Sequence, residues 1–216
     1  SGELVEAHAD VDALLEIARS AAPMGEAGAA AGVGAGAPAV AVAERPDAAE
    51  SPRPRIAVAR DDAFCFYYAD SIDLLRALGA EIVEFSPLAD AALPDTVHGV
   101  YLGGGYPELH AERLSANAAM RDSVAAASRA GVPVYGECGG MLYLLESLTG
   151  GDGTAHPMAG VLPARARLTN KLKRVGYVEA SLAADCILGD AGTVVRGHEF
   201  RYSECVPNAG AAPAWM

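Results

Sequence analysis

VYGECGGMLYL, residues 134–144, surrounds one cysteine with glycines and then continues as an apolar run. Gly136 and Gly140 lie two residues either side of Cys138, as in the G-x-nucleophile-x-G turn between a strand and a helix. Such a turn presses its two ends together, so only small residues fit there. We therefore predict that Cys138 is a nucleophile held out over the sheet, with the positive end of the following helix favouring its thiolate. The alternative is a buried structural cysteine in a glycine-rich turn.

A second glycine-rich loop, YLGGGYPE at residues 101–108, also follows a predicted strand. Loops that follow parallel strands meet at one edge of the sheet, so this loop is expected beside Cys138. Adjacent glycines let backbone N–H groups face a developing negative oxygen. The predicted oxyanion donors are the N–H of Gly139 and that of Gly104 or Gly105, an arrangement suited to acyl transfer.

The segments before Cys138 alternate between strand and helix patterns. RIAVA, AEIVEF, VHGVYLGG and VPVYG are predicted strands, and IDLLRALG and SANAAMRDSVAAASRAG are predicted helices. We expect the first helix to begin at Asp70 or Ser71 and to end at Gly79, and the second to be capped by Ser115 and closed by Gly131. This order predicts an α/β fold with a mostly parallel sheet and helices on both faces. The later segments GVLPARARL, RVGYVEASL and TVVRGHEFRYS predict an antiparallel extension of that sheet.

Composition narrows the class of protein. The 216 residues carry a net charge of −12, which argues against nucleic acid as a partner, and no apolar run is long enough to span a membrane. The four cysteines form no C-x-x-C pair, so reduced thiols in the cytoplasm are expected rather than a zinc site or disulfides. No metal is predicted, since the other histidines (His8, His98, His110 and His156) are isolated along the sequence.

The N-terminal quarter of the chain differs from the rest. Residues 1–22 have a rough helical pattern and resemble the end of a preceding domain. Residues 23–54 consist almost entirely of Ala, Gly and Pro with a few charges, which is typical of a flexible linker. We therefore place the start of the main domain at residue 55.

Four motifs in order resemble one known family. DDAFCFYY, LGGGYPELHAERLSAN, YGECGGMLYL and GHEFRYS are similar to the glutaminase half of cobyrinic acid and hydrogenobyrinic acid a,c-diamide synthases. The resemblance covers about residues 55–205 and implies a flavodoxin-like, class I glutamine amidotransferase fold over residues 55–216. It also implies that residues 1–22 are the end of an ATP-dependent synthetase domain.

The resemblance implies an activity. Cys138 would release ammonia from glutamine through a γ-glutamyl thioester. The synthetase domain of the same enzyme would use that ammonia, with ATP and Mg²⁺, to amidate the a and c carboxylates of cobyrinate or hydrogenobyrinate in cobalamin biosynthesis. The corrinoid would bind through that domain, which also decides between the two corrinoids. No P-loop motif occurs here, so no cofactor is expected in this chain.

A cysteine nucleophile usually requires a base within hydrogen-bond reach. The resemblance implies that the family's catalytic histidine lies on a later strand, beyond residue 216, so that the domain is truncated before its own general base and this chain alone could be inactive. His198 has three open interpretations: a substitute base oriented by Glu199, a residue that positions glutamine or the cysteine loop, or a structural histidine at a sheet edge. Arg201 and Tyr202 either contact a substrate carboxylate or are solvated.

The FCFYY segment at residues 64–68 has two open interpretations: core packing, or an aromatic wall facing the synthetase domain. Glu137 is expected to turn away from the cleft and to bond to backbone. The class of protein is open as well. Instead of a glutaminase, the chain could be another cysteine-elbow enzyme, of the dienelactone hydrolase or DJ-1 type, or a docking module without catalysis.

Overall fold

A computed structural model describes residues 10–20 and 53–209. The chain divides into two compact units, residues 1–41 and 42–216. In the first unit, helix α1 (Val11–Ser20) agrees with the helical pattern predicted there, and the Asp10 carboxylate accepts a hydrogen bond from the N–H of Ala13 at 3.0 Å. Residues 21–52, which hold nearly all of the predicted linker, lie outside the described residues, so the boundaries at 22 and 54 stay predictions.

The second unit alternates strands and helices before it becomes strand-rich. Its helices are α2 (Ala69–Ala77), α3 (Ala111–Ala116), α4 (Ala118–Arg129) and α5 (Gly139–Leu144), with a 3-10 turn at Pro107–His110. Its strands are β1 (Arg55–Ala59), β2 (Phe64–Phe66), β3 (Glu81–Phe85), β4 (Gly99–Leu102), β5 (Gly104–Gly105), β6 (Val134–Gly136), β7 (Leu145–Thr149), β8 (Ala155–Pro157), β9 (Leu162–Leu168), β10 (Arg174–Ser181), β11 (Val194–Arg201) and β12 (Ser203–Pro207).

Four parallel strands form the central sheet in the order β3-β1-β4-β6. This is the 2-1-3-4 start of a flavodoxin-like sheet. Alternate residues of each strand are buried on opposite faces: Ala57 and Leu102 join the core that contains Val124 of α4, whereas Val58 and Tyr101 pack with Ile72 of α2. The predicted mostly parallel sheet with helices on both faces is therefore confirmed.

The helix ends follow local chemistry only in part. Gly79 and Gly131 both have positive φ (93° and 86°) just after α2 and α4, where glycine was predicted to end each helix. The predicted N-terminal caps are wrong. Helix α2 begins after Tyr68, and α4 is capped by Asn117, whose side chain accepts a hydrogen bond from the N–H of Met120. The side-chain amide of Asn117 also donates to two carbonyls of the loop that follows β3, which explains why Asn117, and not Ser115, caps α4.

The later strands form sheets of their own. β9 pairs antiparallel with β12 and parallel with β7, giving the order β12-β9-β7-β8, and β10 and β11 form a separate antiparallel hairpin. The predicted strands are present, but they do not extend the parallel sheet by hydrogen bonding to its edge. The reason is that β7 starts at the residue directly after α5. No loop separates this helix from β7, so the chain cannot return to the edge of the parallel sheet there.

Among residues 10–20 and 53–209, no helix is both long enough and apolar enough to cross a bilayer.

Candidate active site

Cys138 occupies a strained backbone conformation between β6 and α5. Its φ of 48° and ψ of −108° make it, with Thr96, one of two non-glycine residues with positive φ in the described part of the chain. Such conformations cost on the order of 1–3 kcal/mol and persist only where the surrounding structure enforces them. The residue is exposed to solvent at the C-terminal end of the parallel sheet, the edge where α/β folds place their ligands.

The glycines two residues away are required by close packing. A Cβ built on Gly136 would lie 2.8 Å from Cδ1 of Leu144 and 3.0 Å from the carbonyl carbon of Gly140. A Cβ on Gly140 would lie 2.1 Å from the carbonyl oxygen of Leu102. The turn is held further by hydrogen bonds to the end of β4: the N–H of Glu137 donates to Leu102 and that of Gly140 donates to Gly103, both at 2.9 Å. The presence of glycine two residues before and two residues after Cys138 thus has a direct steric cause.

The second glycine segment lies directly against the cysteine turn. A Cβ built on Gly104 would be 3.7 Å from Cβ of Cys138, and one on Gly139 would be 3.1 Å from the amide nitrogen of Gly105. Gly104, Gly105 and Gly139 are all buried. Gly104 and Gly105 form the short strand β5, which pairs with Phe66 and Phe64 of β2, so this segment is more ordered than the predicted loop. The structure therefore brings Cys138 together with all three predicted oxyanion residues.

The chemistry available at this point is that of an exposed thiol beside backbone amides. Gly139 is the first residue of α5, so its N–H has no partner within the helix. Helix α5 has only six residues and ends at Leu144, because the next residues, Leu145–Thr149, form β7. In this site a negative oxygen would be stabilised by close main-chain amides more than by a long helix.

His198 lies on the hairpin formed by β10 and β11. It is an exposed residue of β11, paired in register with Tyr177 of the hairpin. Among residues 53–209, no hydrogen bond or ion pair joins it to Cys138 or to Glu199, and the Glu199 carboxylate instead pairs with Arg174 at 3.0 Å and Arg201 at 2.5 Å. The structure thus shows no hydrogen bond between His198 and Cys138, and the role of His198 stays a prediction.

Two further predicted residues also have internal partners. Arg201 donates to the carbonyl of Ser203 at 2.6 Å in addition to its ion pair with Glu199, so its guanidinium is committed within the fold. The ring of Tyr202 packs edge-on against Phe200 at 5.6 Å. Of the isolated histidines, His98 accepts a hydrogen bond from the N–H of Arg55, which is a structural role, and His8 lies outside the described residues.

The FCFYY segment is divided between the core and the surface. Phe64 is fully buried and packs edge-on against Tyr143, whereas Phe66 and Tyr68 are 52% and 65% exposed. Phe66 meets the exposed ring of Tyr106 at 5.1 Å, beside Gly104. We call Phe66 and Tyr106 the aromatic patch.

Sequence reasoning missed the surroundings of Glu137. The Glu137 carboxylate lies beside the hydroxyls of Tyr101 and Tyr135, whereas we expected it to bond to backbone. Burial and this carboxylate together raise the pKa of Tyr135 to about 12. Tyr135 and Glu137 are alternate residues leaving one strand, a pattern that could have indicated that they share a face.

Comparison with known proteins identifies similar domains. A family model described as the CobB/CobQ-like glutamine amidotransferase domain matches residues 55–215. The cobyrinate a,c-diamide synthase of Dehalococcoides mccartyi (strain CBDB1) is 41% identical over 211 residues, which cover 98% of this chain and 43% of that protein. The same-named protein of Salmonella typhimurium is 42% identical over 211 residues, covering 97% and 42%.

A hydrogenobyrinate a,c-diamide synthase is similar as well. The protein of that name from Streptomyces coelicolor is 47% identical over 171 residues, covering 79% of this chain and 34% of its own length. A crystal structure titled glutamine amidotransferase superposes with a TM-score of 0.46 at 17% identity, covering 67% of this chain and 70% of that one. The chain spans less than half the length of the curated relatives it matches.

Proposed function

The chain belongs to the CobB/CobQ-like glutamine amidotransferase family, and from this premise we propose that it hydrolyses the side-chain amide of glutamine at Cys138. One observation carries the proposal: an exposed cysteine with a φ of 48° lies against the buried glycines of β5. A structural cysteine would have no need of a strained and solvent-facing position.

The reaction divides into two steps. The Cys138 sulfur attacks the amide carbon, the carbon–nitrogen bond breaks, and the leaving nitrogen takes the thiol proton and departs as ammonia. Water then attacks the γ-glutamyl thioester, its hydroxyl joins the acyl carbon to give glutamate, and a proton returns to the sulfur. In both steps the N–H of Gly139, with that of Gly104 or Gly105, would bind the negative oxygen.

A cysteine nucleophile usually requires a general base within hydrogen-bond reach. In the described residues 53–209, no histidine forms a hydrogen bond with Cys138. His198 is the candidate base within the chain. Replacing it with Asn or Ala therefore tests its role: loss of the hydrolysis rate without loss of Cys138 labelling would support it.

The released ammonia would serve an amidation reaction. We propose that a synthetase domain, present in the longer relatives, uses it with ATP and Mg²⁺ to amidate the a and c carboxylates of cobyrinate or hydrogenobyrinate in the cytoplasm. Residues of this chain do not fit those cofactors: there is no P-loop, and no three His, Cys, Asp or Glu side chains of the described part cluster as metal ligands. The aromatic patch beside Gly104 is the surface we assign to the synthetase domain, because large exposed rings beside a site favour a protein partner.

The proposal is tested with a diazo ketone analogue of glutamine. The thiol proton would move to the diazo carbon, nitrogen gas would leave, and the sulfur would bond to that carbon as a stable thioether, which peptide mass spectrometry locates. We expect labelling at Cys138, protection by free glutamine, and none in Cys138→Ser, whereas Cys186→Ser should behave as wild type. An intact protein that reacts faster with small esters than with the analogue would favour the hydrolase alternative. An intact protein without any labelling at Cys138 would favour a docking module.

A further inference from the structure

Three tyrosines pack in a line across the ends of the central strands. We call Tyr67, Tyr101 and Tyr135 the tyrosine row. The ring centroids of Tyr67 and Tyr101 are 5.3 Å apart, and those of Tyr101 and Tyr135 are 5.5 Å apart. Tyr101 and Tyr135 are register partners on β4 and β6, so their side chains share the sheet face covered by α2. The two strands of this pair lead directly into the glycine segment and the cysteine turn.

One end of the tyrosine row is fixed to the glycine segment. The Tyr67 hydroxyl accepts a hydrogen bond from the N–H of Gly103 at 2.9 Å and donates one to the carbonyl of Ala59 at the end of β1. A Cβ on Gly103 would lie 2.5 Å from the Tyr67 ring, which therefore occupies the space beside the backbone. Gly104 follows immediately and lies against Cys138, so a shift of Gly103 would move the proposed oxyanion donors.

The other end of the tyrosine row is fixed to the cysteine turn. The Glu137 carboxylate lies beside the hydroxyls of Tyr101 and Tyr135, while the N–H of Glu137 donates to the carbonyl of Leu102 at 2.9 Å. The next residue is Cys138, whose positive φ needs a fixed backbone on both sides. Glu137 is thus held through both its side chain and its main chain, immediately before the strained residue.

We propose that Tyr67 and Glu137 are positioning residues, which hold the glycine segment and the Cys138 sulfur in mutual register through the tyrosine row. Neither side chain acts on the substrate. Their effect on the rate rests on the proposed function, whereas their effect on the backbone does not. The two effects can therefore be measured separately.

The variants are Tyr67→Phe, which removes the acceptor for Gly103, and Glu137→Leu, with Glu137→Gln as the conservative rescue because its amide oxygen still accepts a hydrogen bond. Tyr68→Phe and Glu112→Leu are matched controls on exposed positions. Three quantities are compared. The first is labelling of Cys138 by the diazo ketone, whose carbonyl needs the oxyanion donors. The second is alkylation by iodoacetamide, which does not need these donors, and the third is hydrogen exchange at residues 103–105.

We expect Tyr67→Phe and Glu137→Leu to slow diazo ketone labelling about tenfold, since small displacements of reacting groups are costly. Iodoacetamide alkylation should stay unchanged, Glu137→Gln should recover part of the rate, and amide exchange at residues 103–105 should accelerate in Tyr67→Phe. Labelling and exchange equal to the controls would overturn the proposal. If the wild type takes no diazo ketone, the proposed function fails, and the exchange rates alone decide the tyrosine row. If Glu137→Leu does not fold, Tyr67→Phe decides by the same measurements.

Discussion

Gly104 lies against Cys138, close enough that a Cβ added to the glycine would be 3.7 Å from that of the cysteine and 3.2 Å from that of Phe66. Gly104 belongs to β5, which follows β4, and Cys138 belongs to the turn after β6. The two residues meet because β4 and β6 are neighbours in the parallel sheet. A methyl group here would enter the space in front of the sulfur without breaking a main-chain contact.

Gly104→Ala should therefore impair the site more than the fold. The added methyl is close to Phe66 and faces the cysteine, so we expect diazo ketone labelling of Cys138 to fall about tenfold, because catalytic groups tolerate little displacement. Iodoacetamide alkylation should change far less. Gly151→Ala is the matched control, since a Cβ at Gly151 meets nothing within 4 Å. Equal labelling of the two variants would contradict a role for Gly104.

Gly140→Ala should instead damage the fold. Its Cβ would lie 2.1 Å from the backbone oxygen of Leu102, which cannot move aside as a flexible side chain could. We expect a loss in the free energy of unfolding at or above the overpacking range of about 1–3 kcal/mol, measured by urea denaturation. Gly197→Ala, with open space around it, should lose much less. A Gly140→Ala protein as stable as wild type would mean that the turn is looser than described.

Tyr143→Phe should leave the protein as stable or more so. The Tyr143 side chain is fully buried, and its hydroxyl has no hydrogen-bond partner among the described residues. Removing a buried hydroxyl without a partner relieves a desolvation cost of about 1–3 kcal/mol, while the packing against Phe64 is retained. Thermal unfolding of the two proteins measures the difference. A clear loss of stability would show that the hydroxyl is bonded.

The tyrosine row should make stability sensitive to high pH. Burial raises the pKa of Tyr67 and of Tyr135 to about 12 from the ordinary 10.0. A raised folded-state pKa gives stability that is complete below pH 10 and is lost as the pH rises toward 12, because only the unfolded chain releases its protons in that window. Urea denaturation between pH 9 and pH 12, a range chosen to bracket both values, should show this decline.

The control for this pH effect is Tyr135→Phe, which should weaken the decline, whereas the exposed Tyr177→Phe should not. In parallel, Glu137→Gln should lower the pKa of Tyr135, since the neighbouring carboxylate opposes the negative charge of the phenolate. Absorbance titration of the phenolate would record this shift. An unaltered titration in Glu137→Gln would contradict the contact between the two side chains.

Features governed by neighbours in the sequence were predicted well. The close approach of Gly136 and Gly140 depends on a turn of five residues, and Gly79 ends its helix because positive φ suits glycine. Parallel strands were evident from their spacing and apolar composition. In these cases the deciding contacts lie within a few positions of the residue concerned.

Features governed by distant contacts were missed. Asn117 rather than Ser115 caps α4 because it also bonds carbonyls of a loop some thirty residues earlier, as the contact with Pro87 shows. The link between Tyr67 and Gly103 depends on the register of β1 and β4, which no local pattern gives. Of the strands after α5, β9, β10 and β11 were predicted, whereas β7, β8 and β12 were not. The pairing of these strands was missed as well, because strand pairing is set by the whole chain.

The backbone of Cys138 has a consequence for the protein's evolution. A φ of 48° suits glycine far better than any residue with a Cβ, so Cys138→Gly should raise the melting temperature while abolishing all thiol chemistry at this position. Selection for stability alone would therefore remove the sulfur. Its retention in a sequence would mark a protein that is still used for its reactivity, and its replacement by glycine would mark one kept only for its shape.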